Sequence, residues 1–320
     1  MYAKRRLACS DQNRPGQQPA GIRGIWANHR RPGLSLSTQA SLAGLTTLGD
    51  DLTMNLMTHS VSQDRGPDFV GIGVQKSGTT WLAHILAQHP DILMRKKEIR
   101  FFVRFFHRGY DWYEEFFKDK RGRVAGELSV HYICSPRPDF THREFYPKWN
   151  PRRKLYFWRR YPSARNELAI RYPSVKVFAI FRNPVDRAWS HYWYWRRRRE
   201  RNRKRVVSFE QMFADDGRWI RTQGCYADLI AIWREKFPHM GTFFYDDILV
   251  RPQELAREIY RYVGVNDCFV PELSRVINRG SHGGMPDSLR AYLTDAYQDQ
   301  IQRLEKMTGR DLSAWLTSDP

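Results

Sequence analysis

Residues 71–82 read GIGVQKSGTTWL, in which Gly73 and Gly78 keep the pattern G-x-x-x-x-G. A nucleotide loop of the common kind continues with lysine directly after the second glycine, but here Thr79 stands in that place and the lysine, Lys76, comes before it. Consecutive backbone N–H groups at Ser77, Gly78, Thr79 and Thr80, opening a helix, would face an anion, helped by the helix dipole and the Lys76 ammonium. The expected ligand carries a phosphate. FRNPVDRAWSHY, residues 181–192, carries Arg182, whose guanidinium is a planar fork of donors, and Ser190, a hydroxyl, eight residues later. Two groups nearby in sequence could move a proton: Glu98 in KKEIRFF, residues 96–102, and His131 in GELSVHY, residues 126–132.

These residues need rigid elements to hold them. DFVGIGVQ, residues 68–75, is a short apolar run suited to a buried parallel strand, and TTWLAHILAQHP then places Trp81, Leu82, Ile85 and Leu86 on one helical face before Pro90. A second strand is expected in VKVFAIFR, residues 175–182; it runs into Asn183 and Pro184, a helix cap followed by proline at the first helical position. That helix would carry Asp186, Arg187 and Ser190 on one side. GTFFYDDI, residues 241–248, reads as a third core strand. PQELAREIYRYVG follows as a helix with Leu255, Ile259 and Tyr262 on a face and Gly264 at its end. A last helix repeats the pattern with Leu289, Leu293, Tyr297, Ile301 and Leu304. Strands alternating with helices predict one α/β domain: a central parallel sheet flanked by helices, with a P-loop-like phosphate loop at a strand end. Residues 1–65, rich in Gly, Pro, Ser, Gln and Asn without a period, read as a disordered or spurious extension ahead of a domain over 66–320, with Met54 and Met57 as alternative starts to Met1.

KSGTTWL resembles the 5′-phosphosulfate-binding loop of sulfotransferases that use 3′-phosphoadenosine 5′-phosphosulfate (PAPS), a family that has its lysine ahead of the second glycine. FRNPVDRAWSHY is similar to the strand and helix that hold the cofactor's 3′-phosphate there, with Arg182 and Ser190 as the gripping residues. The resemblance spans residues 66–320. It implies that Trp81 stacks on adenine, and that NRGSHGG, residues 278–284, occupies the late cofactor-covering loop, with Arg279 and Gly280 matching R-K-G and the lysine missing. Transfer of the sulfuryl group would be an in-line displacement through a loose transition state, with Lys76 meeting charge on the bridging oxygen and no metal required. The general base implied is Glu98. It combines features of E-x-H-F-F in glycan sulfotransferases of the heparan sulfate type and E-x-R in tyrosylprotein sulfotransferases. His131 is the rival base, in a segment similar to G-E-K-T-P-x-Y but with Leu128 in place of the lysine.

Composition bears on partners. The net charge is +19; with seven Lys/Arg and three Asp/Glu in residues 1–53, the remainder keeps 19 − 4 = +15. WYWRRRRERNRKR, residues 193–205, is a basic stretch with aromatic neighbours that reads as a solvated helix extension, as a nucleic-acid surface, or as a rim attracting an anionic acceptor. Without a recognised nucleic-acid fold, no nucleic acid is expected, and the acceptor is read as a hydroxyl, slightly favoured to belong to a glycan, anionic or neutral. Four scattered cysteines without a C-x-x-C pair argue against zinc and a disulfide framework and suit a reducing compartment. No apolar run approaches a membrane span, so a cytoplasmic, bacterial enzyme is expected rather than a Golgi one. Two other classes remain open: a P-loop kinase, for which Asp246 and Asp247 after TFFY could hold magnesium, and a non-catalytic basic binding protein. The sequence does not reveal the oligomeric state.

Overall fold

The computed structural model describes residues 65–134, 163–215, 220–273 and 283–317. The segment ahead of residue 65 lies outside the described residues, as do Arg279 and Gly280.

Elements alternate as expected: β1 (Phe69–Gly73), α1 (Thr79–Gln88), β2 (Ile92–Leu93), α2 (Gly109–Glu114), β3 (Val124–Leu128), α3 (Ala164–Arg171), β4 (Lys176–Phe181), α4 (Pro184–Arg201), α5 (Phe209–Ala214), α6 (Tyr226–Arg234), β5 (Gly241–Phe244), α7 (Tyr245–Val250), α8 (Pro252–Val263) and α9 (Asp287–Thr308). The five strands form one parallel sheet in the order β2-β3-β1-β4-β5. Along β1 and β4 side chains alternate between two cores, as the strand period of two requires. Phe69, Phe178 and Ile180 join Leu82, Ile85 and Leu86 of α1 and Leu255 and Ile259 of α8 on one face. Val70, Ile72, Val177, Ala179 and Phe181 join α4, α5, α6 and α9 on the other, with an aromatic wall of Phe101, Phe102 and Tyr113. Both faces are covered, so β1 is buried at all five positions and reads as a continuous apolar run. Tyr260 on α8 ties the first layer together by donating to the Ile85 carbonyl at 2.9 Å.

Two details differ from the sequence reading. The third core strand is shorter: it ends at Phe244, and Tyr245 to Val250 turn into α7, because an acidic pair follows the apolar run and suits a helix first turn. Arg187 does not share the exposed side of α4 with Asp186 and Ser190. It points into the core, fully buried, donating to the Ile220 carbonyl and lying 3.5 Å from His191 Nδ1. Asp186 instead pairs with Arg290 of α9 at 3.1 Å. Among the described residues no helix is long and apolar enough to cross a membrane, and no group of three or more His, Cys, Asp or Glu is placed to hold a metal.

Candidate functional site

The loop between β1 and α1 sits where the sheet's direction of growth reverses, since β1 is flanked by β3 on one side and β4 on the other. It is sewn to β4: Val74 N donates to the Ile180 carbonyl at 3.0 Å, and Arg182 Nη1 reaches the Lys76 carbonyl at 3.4 Å. Lys76 holds φ at 73°, a conformation uncommon outside glycine, and Gly78 holds 84° at the helix N-cap. Thr79 and Thr80 open α1, so their N–H groups have no intrahelical acceptor, and the first turn carries neither an acidic residue nor a side-chain cap. Gly78 is doubly required. A Cβ there would lie 2.5 Å from Ile248 Cδ1 and 3.0 Å from Tyr245 Cδ2 in addition to the positive φ. Gly78→Ala is expected to lower stability by about 1–3 kcal/mol and to distort the loop, read as a fall in Tm together with lost ligand affinity. An unchanged Tm would contradict this account of the turn.

Cations converge on the loop. The Lys76 ammonium lies 4.9 Å from the centre of the Tyr194 ring, and its pKa is held below the ordinary value by burial first, then by Arg182, Arg197 and Lys97. Tyr194 is on α4 one turn beyond half-buried Ser190, which places Ser190 one helical step from the ring that covers Lys76. Asn183 caps this helix by accepting from Val185 N at 3.0 Å. Arg182 rests over the Tyr245 ring at 4.7 Å, and its carbonyl accepts from the Tyr226 hydroxyl at 2.9 Å. The loop lysine, the strand-end arginine and the α4 serine, far apart in sequence, therefore lie around the ends of two adjacent strands.

Glu98 lies on a third side. Arg100 donates through Nε to Oε2 at 2.7 Å and through Nη2 to the same oxygen, while Oε1 lies 3.9 Å from Lys97 Nζ. Lys97 in turn donates to Thr80 Oγ1 at 3.0 Å and approaches Thr79 Oγ1 at 3.5 Å. This stretch has no regular structure of its own, so β3 holds it. Leu128 N donates to the Lys97 carbonyl at 2.7 Å, Ile99 N to Glu127 at 2.8 Å, and Arg100 N to Ser129 Oγ at 3.0 Å. Glu127 is fully buried and also accepts from the hydroxyls of Tyr113, Tyr132 and Ser129; burial pushes its carboxyl pKa up against the pull of those donors. His131 is half-buried in the turn after Val130, two residues beyond the Ser129 contact.

Trp81 packs in the core with 7% of its surface exposed, so its ring is not open as a broad stacking face. The carboxylates that could have held magnesium are engaged elsewhere. Asp246 accepts from the Trp315 indole at 2.7 Å, and Asp247, 3% exposed, takes both arms of Arg251 at 2.9 Å and Arg310 at 2.7 Å. The basic stretch continues α4 as far as Arg201, with Arg196 paired to Glu200 and the Arg196 and Arg199 guanidinium groups over Trp193 and Trp195. Lys97, Tyr194 and Glu127 were not singled out from sequence; the adjacency of Lys97 to Glu98 was the available signal for the first.

The model of the sulfotransferase family matches residues 67–268. The chain is 26% identical over 301 residues to mouse bifunctional heparan sulfate N-deacetylase/N-sulfotransferase 3, covering 80% of this chain and 32% of that protein. It is 27% identical over 299 residues to the human enzyme 1 of the same name, covering 80% and 31%. The chain thus spans about a third of the length of these curated relatives. Among solved structures it is similar to a sulfotransferase from Alicyclobacillus acidocaldarius, with a TM-score of 0.60, 26% identity, and coverage of 78% of this chain and 99% of that one.

Proposed function

Because the chain belongs to the sulfotransferase family, we propose that it transfers a sulfuryl group from PAPS to an acceptor hydroxyl, one carried by a carbohydrate. The observation that carries this reading is the meeting of two anion-binding elements, Lys76 with Ser77 to Thr80 and Arg182 with the Ser190 helix, at the ends of adjacent strands. A nucleotide with charge at both its 5′ and 3′ positions matches two such places. In this reading the first-turn N–H groups and Lys76 hold the 5′-phosphosulfate, Arg182 and Ser190 hold the 3′-phosphate, and Trp81, Arg279 and Gly280 close on the rest of the nucleotide.

The acceptor oxygen attacks sulfur in line with the bridging oxygen. As the new S–O bond forms, the bond to the 5′-phosphate breaks, its electron pair stays with the departing phosphate, and the acceptor proton passes to a base. Glu98 is that base, with His131, in the turn after β3, as a substrate contact. Arg100 occupies Oε2, which leaves Oε1 for the hydroxyl. No step calls for a metal. A carbohydrate acceptor is supported by the names of the heparan sulfate relatives and by the positive surface.

Calorimetric titration of adenosine 3′,5′-bisphosphate, the desulfated donor, against the wild-type chain and Ser190→Ala tests the reading, with ATP plus magnesium as control. Binding that the substitution weakens, with little affinity for ATP, is expected; a preference for ATP would overturn it. The binding should also depend on pH with a definite sign. Burial lowers the pKa of Lys76, and a bound anion restores its charged form, so above that lowered value binding takes up a proton. Affinity is therefore expected to fall as pH rises through the lowered value of the unliganded protein toward that of a free lysine. A flat profile across that window would remove Lys76 from the binding account.

A further inference from the structure

We propose that Lys97 is a second catalytic lysine, whose ammonium contacts the transferring sulfuryl group between the phosphate loop and Glu98. The inference rests on the PAPS reading above and goes beyond it by adding a residue that neither the loop pattern nor the base motif contains. Lys97 touches both sides of the reaction. Its Nζ lies 3.0 Å from Thr80 Oγ1, on the turn that would hold the donor's 5′-phosphate, and 3.9 Å from Glu98 Oε1, the oxygen left open beside Arg100. A group passing from that phosphate to a hydroxyl on Glu98 must cross the space these two contacts bracket.

The lysine is held there rather than free to sweep solvent. Its carbonyl accepts from Leu128 N at 2.7 Å and the next two residues are fixed by Glu127 and Ser129, so the stem begins from a point set by β3. Its side chain is 30% exposed, open enough to exchange the threonine hydroxyls for an incoming anion. Lys76 and Lys97 thereby divide the work. Lys76, inside the loop, meets the phosphate and the bridging oxygen, whereas Lys97 meets the non-bridging oxygens of the sulfuryl group as it flattens between donor and acceptor. In this role Lys97 acts in its charged form and transfers no proton, so the acceptor proton still goes to Glu98.

The two lysines can be separated by ligands that differ only in the sulfuryl position. Adenosine 3′,5′-bisphosphate lacks that group, whereas a PAPS analogue with a methylene in place of the bridging oxygen carries it and cannot transfer it. Wild type is expected to prefer the analogue. Lys97→Met should bind the bisphosphate within about threefold of wild type while losing a preference of about 10- to 100-fold for the analogue, the range of a charge-assisted contact. Lys97→Arg should recover part of that preference. A purely structural lysine would instead weaken both ligands together. Retention of the preference by Lys97→Met, or its absence in wild type, overturns the proposal while leaving the PAPS reading intact; failure of wild type to bind the bisphosphate overturns both. Thermal unfolding of each variant shows that the comparison is made on folded protein.

Discussion

Lys76→Ala is expected to weaken binding of adenosine 3′,5′-bisphosphate by about 10- to 100-fold and to slow sulfuryl transfer by about 10²- to 10³-fold, the effect of removing one preorganised charge from a transition state. The surroundings of Lys76 favour a functional role over a structural one. A lysine serving stability would sit beside a carboxylate in water. Lys76 is desolvated, rests on an aromatic ring and has Arg182, Arg197 and Lys97 as its charged neighbours. Its pKa is lowered, so below the folded value the protonated side chain carries a penalty in the folded state. That penalty is relieved only as pH rises from the lowered value toward that of a free lysine. The alanine variant should accordingly unfold at the same temperature as wild type or a higher one while losing the ligand. A fall in Tm with ligand affinity preserved would show that Lys76 is a structural residue.

The second large effect is expected at Glu98. Glu98→Gln keeps the shape and removes the proton acceptor, and general-base catalysis is typically worth about 10² to 10⁴ in rate. The substitution also leaves Arg100 and Lys97 with a neutral partner, so binding of the bisphosphate should hold or improve while turnover collapses. Sulfation of a panel of glycans from radiolabelled PAPS, measured for Glu98→Gln beside His131→Ala, separates the two candidates. Near-wild-type turnover in the glutamine variant, with loss in the alanine variant, would transfer the role to His131.

The parts of this site visible in the sequence are those built from local pattern. The phosphate loop was legible because Gly73, Gly78 and the following helix face are all within one segment, and the Arg182 element because Asn183 and Pro184 announce a helix directly after an apolar strand. Lys97 was hidden because its partners Thr79 and Thr80 are 18 and 17 residues away, joined to it only when β3 pairs with β1. The Glu127 cluster was hidden for the same reason: a carboxylate in GELS looks solvated until Tyr113 and Tyr132 close over it. Arg187 misled because helical spacing says which residues share a side but not that a charged one has been turned inward to the Ile220 carbonyl. Strand β2, two residues long, carries too little pattern to be read at all.

The bonds from Val74 to Ile180 and from Arg182 to Lys76 also make the site a measuring device. Neighbouring strands keep a spacing of about 4.8 Å, so the backbone of the sheet sets how far apart the Lys76 and Arg182 side chains begin. In the PAPS reading, selection works by length: a ligand with its charges consecutive on one chain would satisfy only one jaw of this calliper, whereas a ribose bearing charge at both ends would span it.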